Sequence, residues 1–228
     1  MTKPVLIMTR PGPSAKAFVQ SLPPNLRAKL SVVISPLLQI NATDARVDMA
    51  GVAGVIFTSA HGVAHGPQPQ ACPVFCVGPK TTEAAVEKGW AAQTVGQDAD
   101  ELVETLVAMR PDFPLMHSSG QHQRGDIAAK LTRAGLLTRQ AIVYEQALLP
   151  LTALAKTRLG SGTHCIVPLF SPRTAVQFAA QCHDLRNVSI LALSAAVAET
   201  LVGKGPKQLL TANEPTAASM RLALETLV

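Results

Sequence analysis

Short apolar runs alternate with helical patterns along the whole chain. The runs are continuously apolar instead of alternating with polar positions, which is typical of strands buried on both faces of a parallel sheet. Because helical patterns separate most of the runs, the chain is predicted to have an α/β fold with parallel sheets. The predicted strands are Val5–Met8, Leu30–Ile34, Val52–Phe57, Val74–Val77, Leu115–His117, Gln140–Val143, Cys165–Phe170, Ser189–Leu193 and Gln208–Thr211.

The predicted helices follow turns at the ends of the strands. Residues 10–13 form such a turn, and Ser14 is predicted to be the N-cap of a helix that runs to about Gln20. The further predicted helices are Thr81–Lys88, Ala99–Met109, Asp126–Ala134, Thr174–Gln181 and Ala196–Val202.

An internal repeat indicates two domains of one design. Residues 74–89 align without gaps with residues 190–205, and a similar strand, corner and helix start precede each copy at 55–63 and 167–176. Two pairings fit the repeat equally well. Either the domains are contiguous and divide near residues 110–112, or a discontinuous domain joins about the first 37 residues to about the last 80.

The charge and composition limit the class of partner. The net charge of +5 indicates either an anionic partner or charge that serves solubility alone. Nucleic acid is disfavoured, since aromatic residues make up only 4% of the chain and no two Lys or Arg residues are adjacent. No basic amphipathic stretch predicts a membrane-surface helix, and no apolar run approaches the ~20 residues of a membrane span. An acidic small molecule is the anionic partner that remains.

The amino-terminal and cysteine patterns favour the cytoplasm. The apolar stretch before Thr9 is too short to be the core of a signal peptide. The four cysteines lack the spacing of a redox or zinc motif, so they are interpreted as reduced thiols in the interior of the protein.

Small and hydroxyl residues recur at the predicted corners between strand ends and helix starts. In parallel α/β sheets these corners meet at one edge, where free backbone N–H groups favour carboxylates or phosphates. Any one corner is most simply a routine N-cap. Together, in a basic two-domain chain, they predict a cleft that holds a polyanion. The corners are Thr9–Pro11, Thr58–Ser59, Gly78–Thr81, Ser118–Gly120, Ser171–Arg173 and Ser194–Ala195.

Other common catalytic patterns are missing from the sequence. It has no phosphate-binding loop, no complete dinucleotide fingerprint and no nucleophile elbow. His61 and His65 have helical metal-ligand spacing, but Gly66 follows at once and no third ligand is near, so no metal site is predicted. His117 and His122 flank a glycine turn and could touch a substrate, but they are more simply interpreted as solvated loop side chains.

Tyr144, the one tyrosine of the chain, lies where the sequence passes from one repeat towards the other. A phenol can donate a proton to a leaving hydroxyl group and then accept hydrogen bonds. The alternative is a tyrosine that is half-buried at the end of a strand.

The corners, in this order, resemble those of the uroporphyrinogen-III synthase family over about residues 4–227. Each motif is short, and the resemblance depends on their order and spacing. Gly120 and Arg124 precede a helix in the matching position. The other matching stretches are Met8–Pro11, Ile56–Val63, Val77–Thr82, Val143–Tyr144, Phe170–Arg173 and Glu214–Thr216.

The resemblance implies two similar flavodoxin-like or Rossmann-like domains joined by two extended linkers. It favours the discontinuous pairing, with residues 1–37 and 147–228 in one domain and residues 42–142 inserted as the other. Residues 38–41 and 143–146 are then the linkers, and Tyr144 lies in the second of them, facing the cleft.

The resemblance also implies the reaction, which is closure of hydroxymethylbilane with loss of water and inversion of the last ring. No cofactor is implied, and the protein is expected to be a monomer in the cytoplasm. Tyr144 is the expected proton donor. The residues expected to bind the eight carboxylates of the substrate are Thr9, Arg10, Ser59, Lys80, Thr81, Ser118, Gly120, Arg124, Ser171, Arg173 and Ser194.

Three departures from the family pattern are present. His61 stands where Asn is frequent, the helix after Val63 is cut short by residues 66–69, and the corner at 194–197 lacks the family's glycine and threonine. Two other functions fit the charge and the repeat: a two-lobed binding protein for an anionic small molecule, and a nucleotide- or sugar-phosphate enzyme.

Overall fold

The structure, a computed structural model, describes residues 3–122 and 125–228 of the 228-residue chain. Its strands are β1 (Val5–Met8), β2 (Ser31–Ile34), β3 (Leu38–Ala42), β4 (Gly54–Phe57), β5 (Val74–Val77), β6 (Ala92–Gly96), β7 (Leu115–Gly120), β8 (Thr138–Leu148), β9 (Cys165–Leu169), β10 (Val188–Ala192) and β11 (Gln208–Thr211). Its helices are α1 (Gly12–Gln20), α2 (Pro24–Ala28), α3 (Ala60–His65), α4 (Pro79–Lys88), α5 (Ala99–Met109), α6 (Ile127–Arg133), α7 (Ala153–Gly160), α8 (Pro172–Gln181), α9 (Ala195–Glu199) and α10 (Ala217–Glu225).

The chain divides into two compact units. The discontinuous unit consists of the residues up to Gln39 together with Ala147–Val228, and the inserted unit is Ile40–Gln146. Two strands, β3 and β8, cross the boundaries between them. Parallel pairing of β4 with β7 joins residues on both sides of positions 110–112 into one sheet.

The discontinuous unit is a parallel sheet of five strands in the order β11-β10-β9-β1-β2. Both faces of this sheet are covered. Val5 and Ile7 of β1 pack on one side with Phe178 of α8, whereas Leu6 and Met8 pack on the other side with helices α1, α2 and α10. Burial on both faces is the reason why β1 is apolar at every position.

The inserted unit has strand order β3-β8-β7-β4-β5-β6, and the pairs from β8 to β6 are parallel. Its core also lies on both faces. Ile56 of β4 packs with Leu102 and Leu106 of α5, and its neighbour Phe57 packs with Trp90 on the opposite face.

Each unit has one reversal point, although the strand orders of the two sheets differ. In the inserted unit the chain proceeds from β4 to β6 in one direction and then places β7 and β8 on the other side of β4. In the discontinuous unit the reversal lies between β1 and β9. In open α/β sheets such a reversal leaves a crevice outside the carboxyl ends of the two adjacent strands, where ligands bind.

The predicted α/β class is confirmed, and several predicted boundaries are wrong. Helix α1 begins at Gly12 without a side-chain cap, so Ser14 is not its N-cap. Proline in the first turn fixes the helical φ angle there and makes an earlier start possible. Strand β7 runs on to Gly120, and β8 is eleven residues long. The sequence prediction missed strands β3 and β6 and helices α2, α7 and α10.

In the part of the chain that the structure describes, no helix has the length and apolar character needed to cross a membrane. The four cysteines are free thiols, and three of them (Cys76, Cys165 and Cys182) are buried. Burial raises the pKa of Cys76 and of Cys165 to about 11, so these thiols are protonated at neutral pH.

Candidate functional site

A pocket of about 230 Å³ lies at the reversal point of the inserted unit. We call it the Tyr144 pocket. Thr58 and Ser59 contribute from the end of β4, and Gly120 contributes from the end of β7. The described residues that line it are Thr58, Ser59, Val77, Ala99, Gly120, His122, Ile127 and Tyr144. The pocket is therefore where the strand order alone places a ligand site.

Tyr144 and Ser59 form a hydrogen bond in this pocket. The phenol oxygen of Tyr144 lies 3.0 Å from Ser59 Oγ, although 85 residues separate the two in sequence. Ser59 is also the N-cap of α3, because its Oγ accepts a hydrogen bond from the Gly62 N–H at 3.1 Å. The Tyr144 side chain is only 6% exposed. Its hydroxyl is thus held in place by a residue that is itself fixed by a helix start.

Gly120 allows the Tyr144 ring to lie directly against the backbone of β7. A Cβ atom at position 120 would lie 2.8 Å from the Tyr144 phenol oxygen and closer still to the ring carbons. The pairing of β7 with β8 shifts register between Ser119 and Gly120, so that Gly120 is opposite Tyr144. Such bulges re-aim a side chain at the edge of a site.

Two histidines of α3 lie beside the Tyr144 ring. The ring centroid of His61 is 5.6 Å from that of Tyr144, and the centroid of His65 is 6.3 Å away. Partial burial, and to a smaller extent the neighbouring His65, lower the pKa of His61. The described residues contain no group of three or more metal-ligating side chains, here or elsewhere.

Lys88 holds the carboxyl end of the short helix α3. Its ammonium group donates hydrogen bonds to the carbonyl oxygens of Val63, Gly66 and Pro67, at 2.6, 3.1 and 3.1 Å. Helix ends leave carbonyl groups without intrahelical partners, and a cation there also interacts favourably with the helix dipole. Lys88 therefore stabilises the helix that positions Ser59.

We expect Lys88→Met to lower the free energy of unfolding by about 1.5–3 kcal/mol, the range for hydrogen bonds to a charged group. Urea denaturation followed by circular dichroism measures this loss. Lys80→Met, which changes an exposed lysine of the same helix α4, is the matched control and should stay within about 0.5 kcal/mol of the wild type. Equal losses in both variants would contradict the capping role.

His117 is fully buried in β7, so its interpretation as a solvated loop side chain is wrong. Its Nε2 atom lies 3.3 Å from Thr58 Oγ1, and its Nδ1 atom has no hydrogen-bond partner among the described residues. Burial lowers the pKa of His117 to about 4, against a smaller opposite effect of Asp126. The imidazole is therefore neutral at physiological pH.

The low pKa of His117 predicts a loss of stability in mild acid. Between its unfolded pKa of 6.5 and its folded pKa of about 4, the unfolded chain binds the additional proton. The stabilisation is complete above pH 6.5 and decreases as the pH falls through this range. We expect it to account for about 2 kcal/mol of the stability difference between pH 7 and pH 5. Urea denaturation at both pH values should show a smaller acid loss in His117→Leu, whereas equal losses would contradict the assignment.

The reversal point of the discontinuous unit carries a second group of predicted residues. Half-buried Arg10 follows β1, and its guanidinium carbon lies 4.4 Å from the ring centroid of Phe170, which follows β9. Desolvation lowers the pKa of Arg10, but a guanidinium remains charged at neutral pH. Ser171 is the N-cap of α8 and accepts a hydrogen bond from the Thr174 N–H.

Of the predicted binding residues that the structure describes, only Ser59 and Gly120 line the Tyr144 pocket beside Tyr144. Ser118 and Thr9 are buried, and their hydroxyls donate to the carbonyl oxygens of Gly62 and Pro168. Both hydroxyls were predicted to bind substrate. In this geometry their hydrogens are instead donated to buried backbone carbonyl oxygens.

The other predicted binding residues among residues 3–122 and 125–228 lie outside the Tyr144 pocket. In the first turn of α4, Thr81 is buried and Lys80 is exposed. Arg173 is half-buried in α8, and Ser194 occupies the N-cap position of α9 without a side-chain cap hydrogen bond. Arg124 lies outside the described residues.

Two polar residues of the pocket were not predicted as site residues. Thr58 was recognised only as part of a corner, and His122 was interpreted as solvated. The useful signal for Thr58 is its position directly after a buried strand at the reversal point. That signal requires knowledge of the strand order, which the sequence does not supply.

Comparisons with known proteins agree on one family. Among solved structures, uroporphyrinogen-III synthetase from Helicobacter pylori is similar over 100% of both chains, with a TM-score of 0.71 and 15% identity. A mutant uroporphyrinogen III synthase from Thermus thermophilus is similar over 98% of both chains, with a TM-score of 0.53 and 14% identity. These likenesses show the fold. No curated protein sequence matches the chain. The family model HEM4, described as uroporphyrinogen-III synthase HemD, matches residues 26–221, and the chain therefore belongs to the uroporphyrinogen-III synthase family.

Proposed function

We propose that the Tyr144 pocket is where this chain closes hydroxymethylbilane to uroporphyrinogen III. The chain is a cyclising lyase of tetrapyrrole biosynthesis, which is the activity of its family. The observation that supports the location is the hydrogen bond between Tyr144 and Ser59 in a pocket at the reversal point of the sheet. No other phenol is present in the sequence to act as a proton donor.

Tyr144 is the proposed general acid for loss of the substrate hydroxyl as water. Ser59 Oγ already accepts the Gly62 N–H, so the Ser59 hydrogen is available to donate to the Tyr144 oxygen. The Tyr144 hydrogen is then free to move to the leaving hydroxyl. The phenolate left behind is stabilised by the Ser59 hydroxyl, and through it by the N–H groups at the start of α3.

Orientation is the second proposed contribution of the site. Hydroxymethylbilane would otherwise close without inversion of ring D, so the conjugated cation that forms must be held with its substituted carbon ready for attack and a spiro intermediate. The substrate has eight carboxylates, which suits the positive charge of the chain. We assign carboxylate binding to Arg10 and Arg173, with Lys80, Ser171 and Ser194 as further contributors and Arg124 as a prediction from the sequence.

The decisive experiment supplies purified protein with freshly prepared hydroxymethylbilane and identifies the porphyrinogen isomer after oxidation and chromatography. We expect uroporphyrinogen III in excess over the isomer formed in a control without enzyme. The same isomer mixture in both samples would refute the activity. A binding protein would instead bind hydroxymethylbilane stoichiometrically and slow its spontaneous closure, which distinguishes that alternative.

The monomeric state and the cytoplasmic location stay predictions from the sequence. Sedimentation of the purified protein at micromolar concentration tests the first of them. A mass of twice 23.9 kDa would contradict it.

A further inference from the structure

His117 is a buried, neutral imidazole directly behind the wall of the Tyr144 pocket. His117 does not line the pocket, and it is 0% exposed. Its contact with the pocket is the 3.3 Å hydrogen bond between Nε2 and the hydroxyl of Thr58, which does line the pocket. The residue is therefore placed to act on a ligand only through Thr58.

The lack of a hydrogen-bond partner at Nδ1 among the described residues indicates which ring nitrogen of His117 carries the proton. A neutral imidazole has one N–H donor and one acceptor nitrogen. If Nδ1 carried the proton, a buried N–H would be left without an acceptor in the described part of the chain, and orphaned buried N–H groups are rare. If Nε2 carries the proton, its N–H donates to Thr58 Oγ1, and the unpaired atom is only an acceptor. The partner of one ring nitrogen thus sets the tautomer.

The direction of this hydrogen bond fixes what Thr58 can offer to a ligand. When Thr58 Oγ1 accepts from His117, the Thr58 hydrogen is left without an acceptor among residues 3–122 and 125–228. It can then be donated into the pocket. In the opposite tautomer the Thr58 hydroxyl would donate its hydrogen to His117 Nε2. Only the lone pairs of Thr58 Oγ1 would then face the pocket, and they repel a carboxylate.

We infer that His117 is a positioning residue, held as its Nε2–H tautomer, that orients the Thr58 hydroxyl to donate a hydrogen bond to a carboxylate oxygen of the substrate. The inference rests on the proposed function only for the identity of the ligand. The tautomer itself is a property of the free protein. Burial keeps the ring neutral, so the donor direction does not change in the physiological pH range.

The tautomer is tested on the full-length protein without substrate. Nitrogen NMR with 15N-labelled histidine distinguishes a protonated from an unprotonated ring nitrogen, and His117→Gln identifies the signals of His117 by their loss. We expect a protonated Nε2 and an unprotonated Nδ1 at neutral pH. A protonated Nδ1 would overturn the inference, whatever the enzyme assay shows.

The role of the hydrogen bond is tested by a double-mutant cycle with hydroxymethylbilane as substrate. Thr58→Val should raise KM by about tenfold with little change in kcat, since it removes one hydrogen bond to a charged group. His117→Leu should raise KM by a similar factor, because the Thr58 hydroxyl is then no longer held in the direction of the carboxylate. The double variant should be no worse than either single variant, because both changes remove the same interaction. His117→Gln, whose side-chain amide can reach Thr58 with an N–H, should restore most of the affinity.

Two results of the cycle would overturn the positioning role. One is a double variant whose KM rises by the product of the two single effects. The other is a His117→Gln variant that is no better than His117→Leu while Thr58→Val alone is impaired. If the wild type makes no uroporphyrinogen III, the proposed function fails, and the NMR result still decides the tautomer.

Discussion

Tyr144→Phe is expected to lower kcat for uroporphyrinogen III formation by about a hundredfold or more while the protein stays folded. General acid catalysis typically contributes about two to four orders of magnitude, and the phenylalanine ring has no proton to donate. The ring itself still fills the space against Gly120 and α3, so only the hydrogen bond to Ser59 is lost. That loss should cost about 1 kcal/mol of folding free energy.

The measurement is steady-state cyclisation together with urea denaturation of the same preparation. The residual product should still be the inverted isomer, because orientation of the bilane does not depend on the phenol proton. Ser59→Thr keeps a hydroxyl at the N-cap and serves as the conservative comparison. A wild-type rate in Tyr144→Phe would remove the proton-donor role altogether.

Gly120→Ala is expected to impair both stability and activity. The added methyl group would overlap the Tyr144 ring, whose centroid also lies 5.6 Å from that of His61 in α3. Overpacking of this kind costs about 1–3 kcal/mol, and any shift of the ring also separates the phenol from Ser59. We expect a drop in kcat comparable to that of Tyr144→Phe, measured in the same assay.

Two further variants test whether the loss in Gly120→Ala comes from the close contact with Tyr144 or from the replacement of a glycine by alanine as such. Gly160→Ala is the matched control, because a Cβ atom at that helical position meets nothing within 4 Å, and it should leave stability unchanged or slightly raised. Gly120→Ala should also cost little when it is introduced into Tyr144→Leu, where the ring is absent. A large loss in that background would place the cause in the β7 backbone instead.

The buried strands could be predicted because both faces of each sheet are covered. Strands β1 and β5 begin and end where the apolar runs predicted them. Strands β3 and β6 were missed because exposed polar residues such as Gln39 and Gln93 interrupt their apolar pattern. These two edge strands lack the continuous apolar run that was used as the signal.

The corner residues could be predicted from the sequence as helix N-caps, but the residues that their side chains contact could not. A hydroxyl residue between a strand and a helix indicates an N-cap, and Ser59 and Ser171 are N-caps. Whether the same hydroxyl also meets a ligand depends on the strand order, which brings Ser59 to Tyr144 and directs Ser118 to the Gly62 carbonyl. Local propensities carry no information about contacts between such distant residues.

The insertion of one unit into the chain of the other has a consequence for folding during synthesis. Every strand pair of the β4–β8 sheet lies within about ninety-five consecutive residues, so the inserted unit can form as soon as it leaves the ribosome. In the discontinuous unit, by contrast, Val5 of β1 pairs with Cys165 of β9. The sheet of this unit cannot be completed until the last third of the chain has been made, and until then Val5 and Ile7 of β1 lack the side chains of α7 and α8 that cover them. The amino-terminal segment is therefore the part of this enzyme most in need of chaperone protection while it is being translated.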